Sequence, residues 1–141
     1  MAAVDIVDDY IEALPGESRR VAPGEWGITV DAEWPLHVGL RLAEGVLHAQ
    51  GHALDSAEGL DPWMLLWWNR QTRYVRFACT QAHEVWVHGE LPVAAVDERA
   101  VDRLLGLVVE GAIAVREFQA AATVAPKEPD SAGGSWLRPA G

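Results

Sequence analysis

The hydrophobic and polar positions of residues 3–14 follow the period of an amphipathic helix. Apolar residues recur every three or four positions, and acidic residues occupy the other side: Val4, Val7, Ile11 and Leu14 against Asp5, Asp8, Asp9 and Glu12. This spacing places the apolar side chains along one helical face. Pro15 and Gly16 predict the end of the helix, and a polar link closed by Pro23 and Gly24 follows.

Strict alternation of apolar and polar residues then predicts three strands. The first two cover residues 26–31 and 36–43, and a tight turn at residues 44–45 returns the chain through residues 46–53. Counting outward from the turn predicts which residues face each other. The expected pairs are Leu42 with Leu47 on a core face, and Arg41 with His48 and His37 with His52 on a polar face.

A second, short helix is predicted after residue 61. Asp61 is a suitable N-cap, Pro62 suits the first helical position, and residues 63–68 form an unbroken apolar run, WMLLWW. Because apolar side chains cover nearly the whole circumference of this helix, we expect it to be buried on more than one side.

Two more strands and a long helix complete the predicted fold. Alternation over residues 75–79 and 85–91 predicts the strands, and the apolar face after Asp97 predicts the helix. The order helix, three strands, helix, two strands, helix predicts a single α+β domain over residues 1–125, with an antiparallel sheet and helices packed on one face. Residues 126–141 are rich in Pro, Gly and Ser and lack periodicity, so we expect a disordered C-terminal tail.

Composition and charge narrow the class of protein. The chain has 141 residues, half of them hydrophobic, and a formal net charge of −10, which is typical of a soluble globular domain and not of a membrane span. An acidic surface repels phosphate backbones, so we expect no direct binding of nucleic acid. It suits a basic client instead, such as a nucleic-acid-associated protein, and the charge also simply favours solubility.

Candidate chemistry is sparse. Cys79 is the only cysteine, so no internal disulfide forms and a reducing cytoplasm is the simplest interpretation. Cys79 with His83 is the one local nucleophile–base pair, but the alternation points Cys79 into the core, where a thiol behaves as a small hydrophobe. His48 and His52 lie about 13 Å apart along one strand, too far for a single zinc ion. We therefore predict no catalytic, cofactor or metal site.

Three segments of the chain resemble the YbjN-like bacterial proteins, whose fold is similar to that of type III secretion chaperones. They are WGITVDAE, LLWWNRQTRYVRF and EVWVHGELPVAAVDERAVDRLLGLVV. The resemblance follows the element order over residues 3–120 and is carried by patterned hydrophobic residues around Asn69, Phe77, Leu91 and Pro92. It implies a non-enzymatic homodimer that binds a partner protein, either a partly unfolded client or a partner in stress response or regulation. The family supplies no catalytic residues.

Two surfaces are predicted to make these contacts. The polar sheet face carries Tyr, Trp and Arg, in which binding energy concentrates at interfaces; its predicted partner-binding residues are Arg41, His48, Tyr74, Arg76, Trp86 and His88. The surplus apolar surface of the second helix predicts a dimer interface at Trp63, Leu66, Trp67 and Trp68.

Alternatives to these interfaces remain open at the level of sequence. The polar face could belong to a small-molecule-binding domain or an enzyme that uses its His, Arg and Trp side chains. Its aromatic residues could also simply pair across strands, or the partner subunit could cover the face. Trp136 in the tail is either inert or part of a short docking segment.

Overall fold

The computed structural model describes residues 1–124 as one antiparallel sheet with three α-helices. The elements are α1 (Ala3–Ala13), β1 (Glu17–Ala22), β2 (Glu25–Ala32), β3 (Trp34–Ala43), β4 (Val46–Leu54), α2 (Pro62–Gln71), β5 (Val75–Cys79), β6 (Val85–Pro92), a 3₁₀ turn (Val93–Ala95) and α3 (Glu98–Val124). The strands lie in the order β1-β2-β3-β4-β6-β5. The predicted tail lies outside the described residues.

The helices pack on one face of the sheet, as predicted. α3 crosses β4, β6 and β5, α1 contacts α3 and β1, and α2 covers β5. The α+β architecture with an antiparallel sheet is therefore confirmed. No helix in the described part of the chain is long and apolar enough to cross a membrane.

The core lies between α3 and the inner face of the sheet. Val101 and Val108, two helical turns apart on α3, are fully buried. Two glycines let the helix approach the strands closely: a Cβ atom at Gly51 would lie 3.0 Å from Val108, and one at Gly89 would lie 2.7 Å from Leu104. The packing of α3 thus explains both glycines, because neither position has room for a side chain.

β1 is not predicted as a strand, because the hydrophobic pattern of its residues indicates a polar link. Residues 17–21 are all exposed. Backbone pairing with β2 holds the strand in register, with Ser18 opposite Ile28 and Arg20 opposite Trp26. An edge strand held in this way has no buried face that would enforce alternation. The sheet therefore has six strands, one more than expected.

The predicted turn and helix starts are confirmed. Glu44 and Gly45 have φ angles of 53° and 79°, as a two-residue hairpin turn requires, and the register of β3 with β4 is the predicted one. Asp61 accepts a hydrogen bond from a backbone N–H of α2. Asp97 accepts one from the first turn of α3. Local signals thus place these elements correctly because side-chain capping and turn geometry act within a few residues.

A buried arginine joins α3 to the sheet, and the hydrophobic pattern of the chain does not predict it. The Arg116 side chain is almost fully buried, its guanidinium centred 4.4 Å from the ring centroid of Trp34. It donates hydrogen bonds of 2.7–3.3 Å to the carbonyl oxygens of Ala32, Trp34, Pro35, His52 and Ala53. Burial lowers the pKa of Arg116, and the charges of Asp55 and Glu33 oppose that shift. The ends of β2, β3 and β4 are thereby fixed to one helix.

Candidate functional site

The face of the sheet opposite the helices carries most of the predicted partner-binding residues, and we call it the outer face. The register places Arg41 opposite His48, and Arg76 opposite His88. Alternation brings these side chains to one side because the residues between them are buried. The central outer-face residues come from four neighbouring strands: His37, Arg41, His48, Gln50, His52, Arg76, Trp86 and His88.

A stacked aromatic pair lies at the middle of the outer face. The rings of His52 and Trp86, on opposing positions of β4 and β6, have centroids 4.7 Å apart and planes 15° from parallel. The indole Nε1 of Trp86 donates a hydrogen bond of 3.2 Å to a carboxylate oxygen of Glu84. His88 lies beside the same indole, with the ring centroids 6.4 Å apart. The indole is therefore fixed in orientation and presents a large half-buried surface.

The ion pairs of the outer face are loose and exposed. Arg41 Nε lies 3.9 Å from a carboxylate oxygen of Glu25, and His48 Nδ1 lies 3.4 Å from one of Glu90. Exposed pairs of this kind contribute about 0–1 kcal/mol to stability. The guanidinium of Arg41 can consequently exchange its carboxylate for one from a partner at little cost.

His88 is the outer-face histidine whose protonation the fold opposes. Burial lowers its pKa below the ordinary value of 6.5, and the positive charge of Arg76 lowers it further. The negative charge of Glu90 raises the pKa of His88, and His48 lowers it. Burial and the charge of Arg76 therefore favour the neutral form of His88.

A shallow depression of about 380 Å³ opens on the outer face where β2 and β3 carry paired glycines. Its floor is Gly27 and Gly39, and Arg19, His37, His52 and Trp86 stand around it. None of the described residues that line it is acidic. The hydrophobic pattern does not predict this depression; the signal in the sequence is the presence of two glycines inside strands.

Tyr74 is the one predicted partner-binding residue that precedes a strand, and alternation along the sheet does not fix its face. It comes before β5 with a φ angle of 69°, and this left-handed conformation interrupts the alternation that the prediction extends from Arg76. The residue is 52 % exposed and also lines the groove beside α3, together with Arg103 and Leu107. Its role in binding a partner stays a prediction.

The second helix is exposed, contrary to the expectation that it is buried on more than one side. No residue of α2 is buried, and we call its exposed side chains Trp63, Leu66 and Trp67 the α2 ridge. They are 76 %, 57 % and 57 % exposed. Trp68 alone of the predicted interface residues turns inward, where it packs against Phe77 and Phe118. The chain itself therefore leaves three large apolar side chains of this helix on its surface.

An apolar groove of about 600 Å³ runs beside the α2 ridge, between α2, β5 and α3. Trp68, Phe77 and Leu107 form its apolar walls. Gly111 and Ala114, small residues on the facing edge of α3, leave it open. The hydrophobic pattern does not predict this groove, since small residues within an apolar helical face are equally compatible with tight packing.

The structure also corrects the placement of the single cysteine. Cys79 is exposed, whereas the alternation predicts a core position. It is the last residue of β5, where the alternation of buried and exposed residues ends with two exposed ones, Ala78 and Cys79. Within residues 1–124 there is no group of three or more His, Cys, Asp or Glu side chains that could hold a metal ion.

Comparison with known proteins identifies the fold. No family model matches the chain, and no curated protein matches it. Solved structures do match it. One is SchA in the HopA1–SchA chaperone–effector complex, with 14 % identity and a TM-score of 0.65, covering 80 % of this chain and 91 % of that one. Another is the Yersinia pestis type III secretion chaperone SycH with a fragment of YscM2, with 17 % identity and a TM-score of 0.60, covering 79 % of this chain and 98 % of that one. A further one is ExsC in the ExsC–ExsE complex, with 15 % identity and a TM-score of 0.63, covering 89 % of this chain and all of that one.

These likenesses are structural, because the sequence identities are low. They cover most of this chain and nearly all of each neighbour. The YbjN-like resemblance stays a prediction, since no family model supports it. The chain has the α+β fold of type III secretion chaperones, with a six-stranded antiparallel sheet and three helices in the described residues.

Proposed function

We propose that the protein is a non-enzymatic, chaperone-like adaptor that binds a partner protein through the outer face. The observation that carries this proposal is the gathering of Trp86, Arg41, Arg76 and four histidines on one sheet face. A face that contacts only water does not need large side chains with polar tips, and at interfaces such residues supply much of the binding energy.

The structural neighbours support the same function. Each was solved as a complex with another protein: the SchA complex is described as chaperone with effector, and SycH holds a fragment of YscM2. A fold shared at low identity does not transfer a partner. The proposal therefore depends on the outer face of this chain.

We further propose that the protein is a cytoplasmic homodimer that meets its second copy through the α2 ridge. Trp63, Leu66 and Trp67 expose a contiguous apolar strip on one short helix, and strips of this kind on a monomer mark protein contacts. The client belongs to stress response or regulation in this proposal, as the resemblance implies.

Affinity capture with surface variants tests the outer face. Arg41→Ala, Arg76→Ala and Trp86→Ala are made singly and together. The arginine variants remove exposed side chains, so we expect thermal unfolding close to that of the wild type. Trp86→Ala also removes the stack on His52, so we expect it to stay folded with a loss of about 0.2–1 kcal/mol in the free energy of unfolding. We expect captured partners to be lost from a lysate of the source bacterium, most completely with the triple variant. Arg99→Ala is the matched control, because Arg99 is an exposed arginine on α3, in the other layer of the molecule. Retention of every partner by the folded triple variant contradicts the proposal.

A further inference from the structure

The paired glycines of the outer face differ from the glycines of the inner face. Gly51 and Gly89 are needed because a Cβ atom there would press on side chains of α3. A Cβ atom at Gly39 would meet nothing within 4 Å, and one at Gly27 would make only ordinary contacts of 3.8–4.0 Å. Neither residue has the positive φ that favours glycine.

Gly27 and Gly39 therefore weaken the sheet without serving its packing. Glycine in a strand interior loses more conformational entropy on folding than other residues and contributes no side-chain contact. The two lie directly opposite each other in the middle of β2 and β3. What they keep open is the depression of about 380 Å³, and room of this kind suits a group from another molecule that must come close to the backbone.

The walls of the depression are rich in hydrogen-bond donors. The guanidinium of Arg19 lies over Gly27, within about 4 Å of the position of a Cβ atom there, and Arg19 forms no ion pair among the residues that the structure describes. His37 shares a hydrogen bond of 3.0 Å with the hydroxyl of Thr29. The walls therefore offer positive charge and donors without a carboxylate of their own.

His52 also stands in the wall of the depression. Its Nε2 is buried, makes no hydrogen bond in the described chain, and lies 3.4 Å from a carboxylate oxygen of Asp55, a residue outside the lining of the depression. The stack of the imidazole on Trp86 holds the ring in place. His52 therefore contributes a fixed polar ring to the wall.

We propose that the depression over Gly27 and Gly39 binds a carboxylate side chain of an extended acidic segment in the partner protein. This inference rests on the proposed function and names the partner chemistry at the outer face. The net charge of the protein favours a basic client, and this inference reverses that expectation. The charges nearest the bound segment decide its preference, because charges farther away on the molecule are screened by salt.

The occupant is a polypeptide segment because a second, similar depression adjoins the first. It holds about 170 Å³, shares Gly39 and Gln50 with the first, and is lined by Arg41 and His48. Glu25 also lines it, and its carboxylate lies 3.9 Å from Arg41 Nε in the loose, exposed pair described above, which a carboxylate of the partner can replace at little cost. In an extended chain, alternate side chains point the same way. Two neighbouring depressions, each with an arginine in its wall, therefore fit two carboxylates of one strand-like segment.

Fluorescence anisotropy with labelled peptides tests the proposal. The peptides alternate valine with glutamate, glutamine or lysine, and free glutamate serves as a competitor. We expect the glutamate peptide to bind at least about tenfold more tightly than the glutamine peptide, since hydrogen bonds to charged groups are stronger. Equal binding of the glutamate and glutamine peptides, or preference for the lysine peptide, overturns the proposal. Free glutamate that competes as well as the peptide overturns the assignment to a protein segment.

Gly39→Val separates binding from folding. The valine fills the depression where no atom is in its way, and valine suits a strand better than glycine. We expect a melting temperature no lower than that of the wild type together with at least about tenfold weaker binding of the glutamate peptide. Gly106→Val is the matched control, because Gly106 on α3 also has no atom within 4 Å of a Cβ position. Should Gly39→Val fail to fold, Gly27→Ala fills the same floor.

Other outcomes identify which proposal fails. If Gly39→Val binds the glutamate peptide as the wild type does, the depression is not the site, whether or not the outer face binds a partner. If the Arg41, Arg76 and Trp86 triple variant retains all partners while Gly39→Val loses the peptide, the proposed function fails and the site stands. A change of oligomeric state in Gly39→Val shows that a second copy covers the outer face, which overturns the acidic-segment assignment.

Discussion

The imidazole of His88 lies half-buried among Trp86, Arg76 and Glu90, and its lowered pKa makes the stability of the protein depend on pH. In the unfolded chain the imidazole has its ordinary pKa of 6.5. Because the folded value is lower, the unfolded state takes up a proton first as the pH falls. Stability is therefore full above pH 6.5 and falls as the pH decreases from there toward the folded pKa.

His88→Gln removes this dependence. We expect the variant to lose less stability than the wild type between about pH 8 and pH 5, the range in which histidines titrate. The free energy of unfolding from urea titrations at several pH values measures the difference. His83→Asn is the control, since His83 is exposed on a turn with a φ of 67° that asparagine tolerates. An unchanged pH profile in His88→Gln contradicts the assignment.

The two edge strands of the sheet are protected in different ways. β5 is covered by α2: the side-chain amide of Asn69 accepts a hydrogen bond of 2.7 Å from the backbone N–H of Phe77 and donates one of 3.1 Å to its carbonyl. The hydroxyl of Thr72 donates to the carbonyl of Val75. One helix thus satisfies backbone groups that would otherwise lie open at the sheet edge. β1 instead carries charged residues along its exposed length.

Asn69→Ala is expected to loosen α2 from β5. Both hydrogen bonds to Phe77 are part-buried, so their loss costs about 1–3 kcal/mol in the free energy of unfolding. Denaturant titration measures this loss, and light scattering on warming detects association through the uncovered edge. Gln71→Ala is the matched control, because Gln71 is an exposed amide residue of the same helix. A variant as stable as the control shows that Asn69 does not hold the helix in place.

What the sequence predicts correctly at the scale of elements depends on periodic burial and local capping. β2, β3 and β4 alternate because one face of each strand is buried, and Asp61 and Asp97 mark helix starts because their partners lie within three residues. β1 shows no such alternation, because it is held by backbone pairing with β2 and has no buried face. Cys79 shows the limit of alternation: parity gives a direction, and whether a helix covers that direction depends on the whole fold.

The candidate site divides in the same way. The pairing of Arg41 with His48 follows from counting across one hairpin turn, whereas the depression over Gly27 and Gly39 needs the register of β2 with β3. The left-handed backbone of Tyr74 also carries no signal in the hydrophobic pattern, so alternation alone does not give the direction of this side chain. Positions that depend on local geometry were predictable, and those that depend on distant packing were not.

At the scale of the whole molecule, the α2 ridge predicts self-association. Three apolar side chains exposed by more than half on one short helix would be covered by a second copy. We expect a dimer by light scattering at tens of micromolar. Trp67→Arg should yield a monomer, because an unpaired charge inside an interface is costly.

Val93→Arg serves as the control for this experiment. It also adds an arginine at an exposed apolar position, 39 % exposed in the 3₁₀ turn before α3. We expect it to remain dimeric. A monomeric wild type rules out the homodimer, and a dimeric Trp67→Arg shows that the interface lies away from the α2 ridge.

The guanidinium of Arg116 has a consequence for the order in which the chain folds. Its carbonyl partners stand between 63 and 84 positions earlier in the sequence. Contacts over such separations form only after the intervening strands have paired and α3 has docked, since loop closure must come first. We therefore expect these hydrogen bonds to be absent from the folding transition state. Interactions of that kind lengthen the lifetime of the native state and leave the speed of folding nearly unchanged.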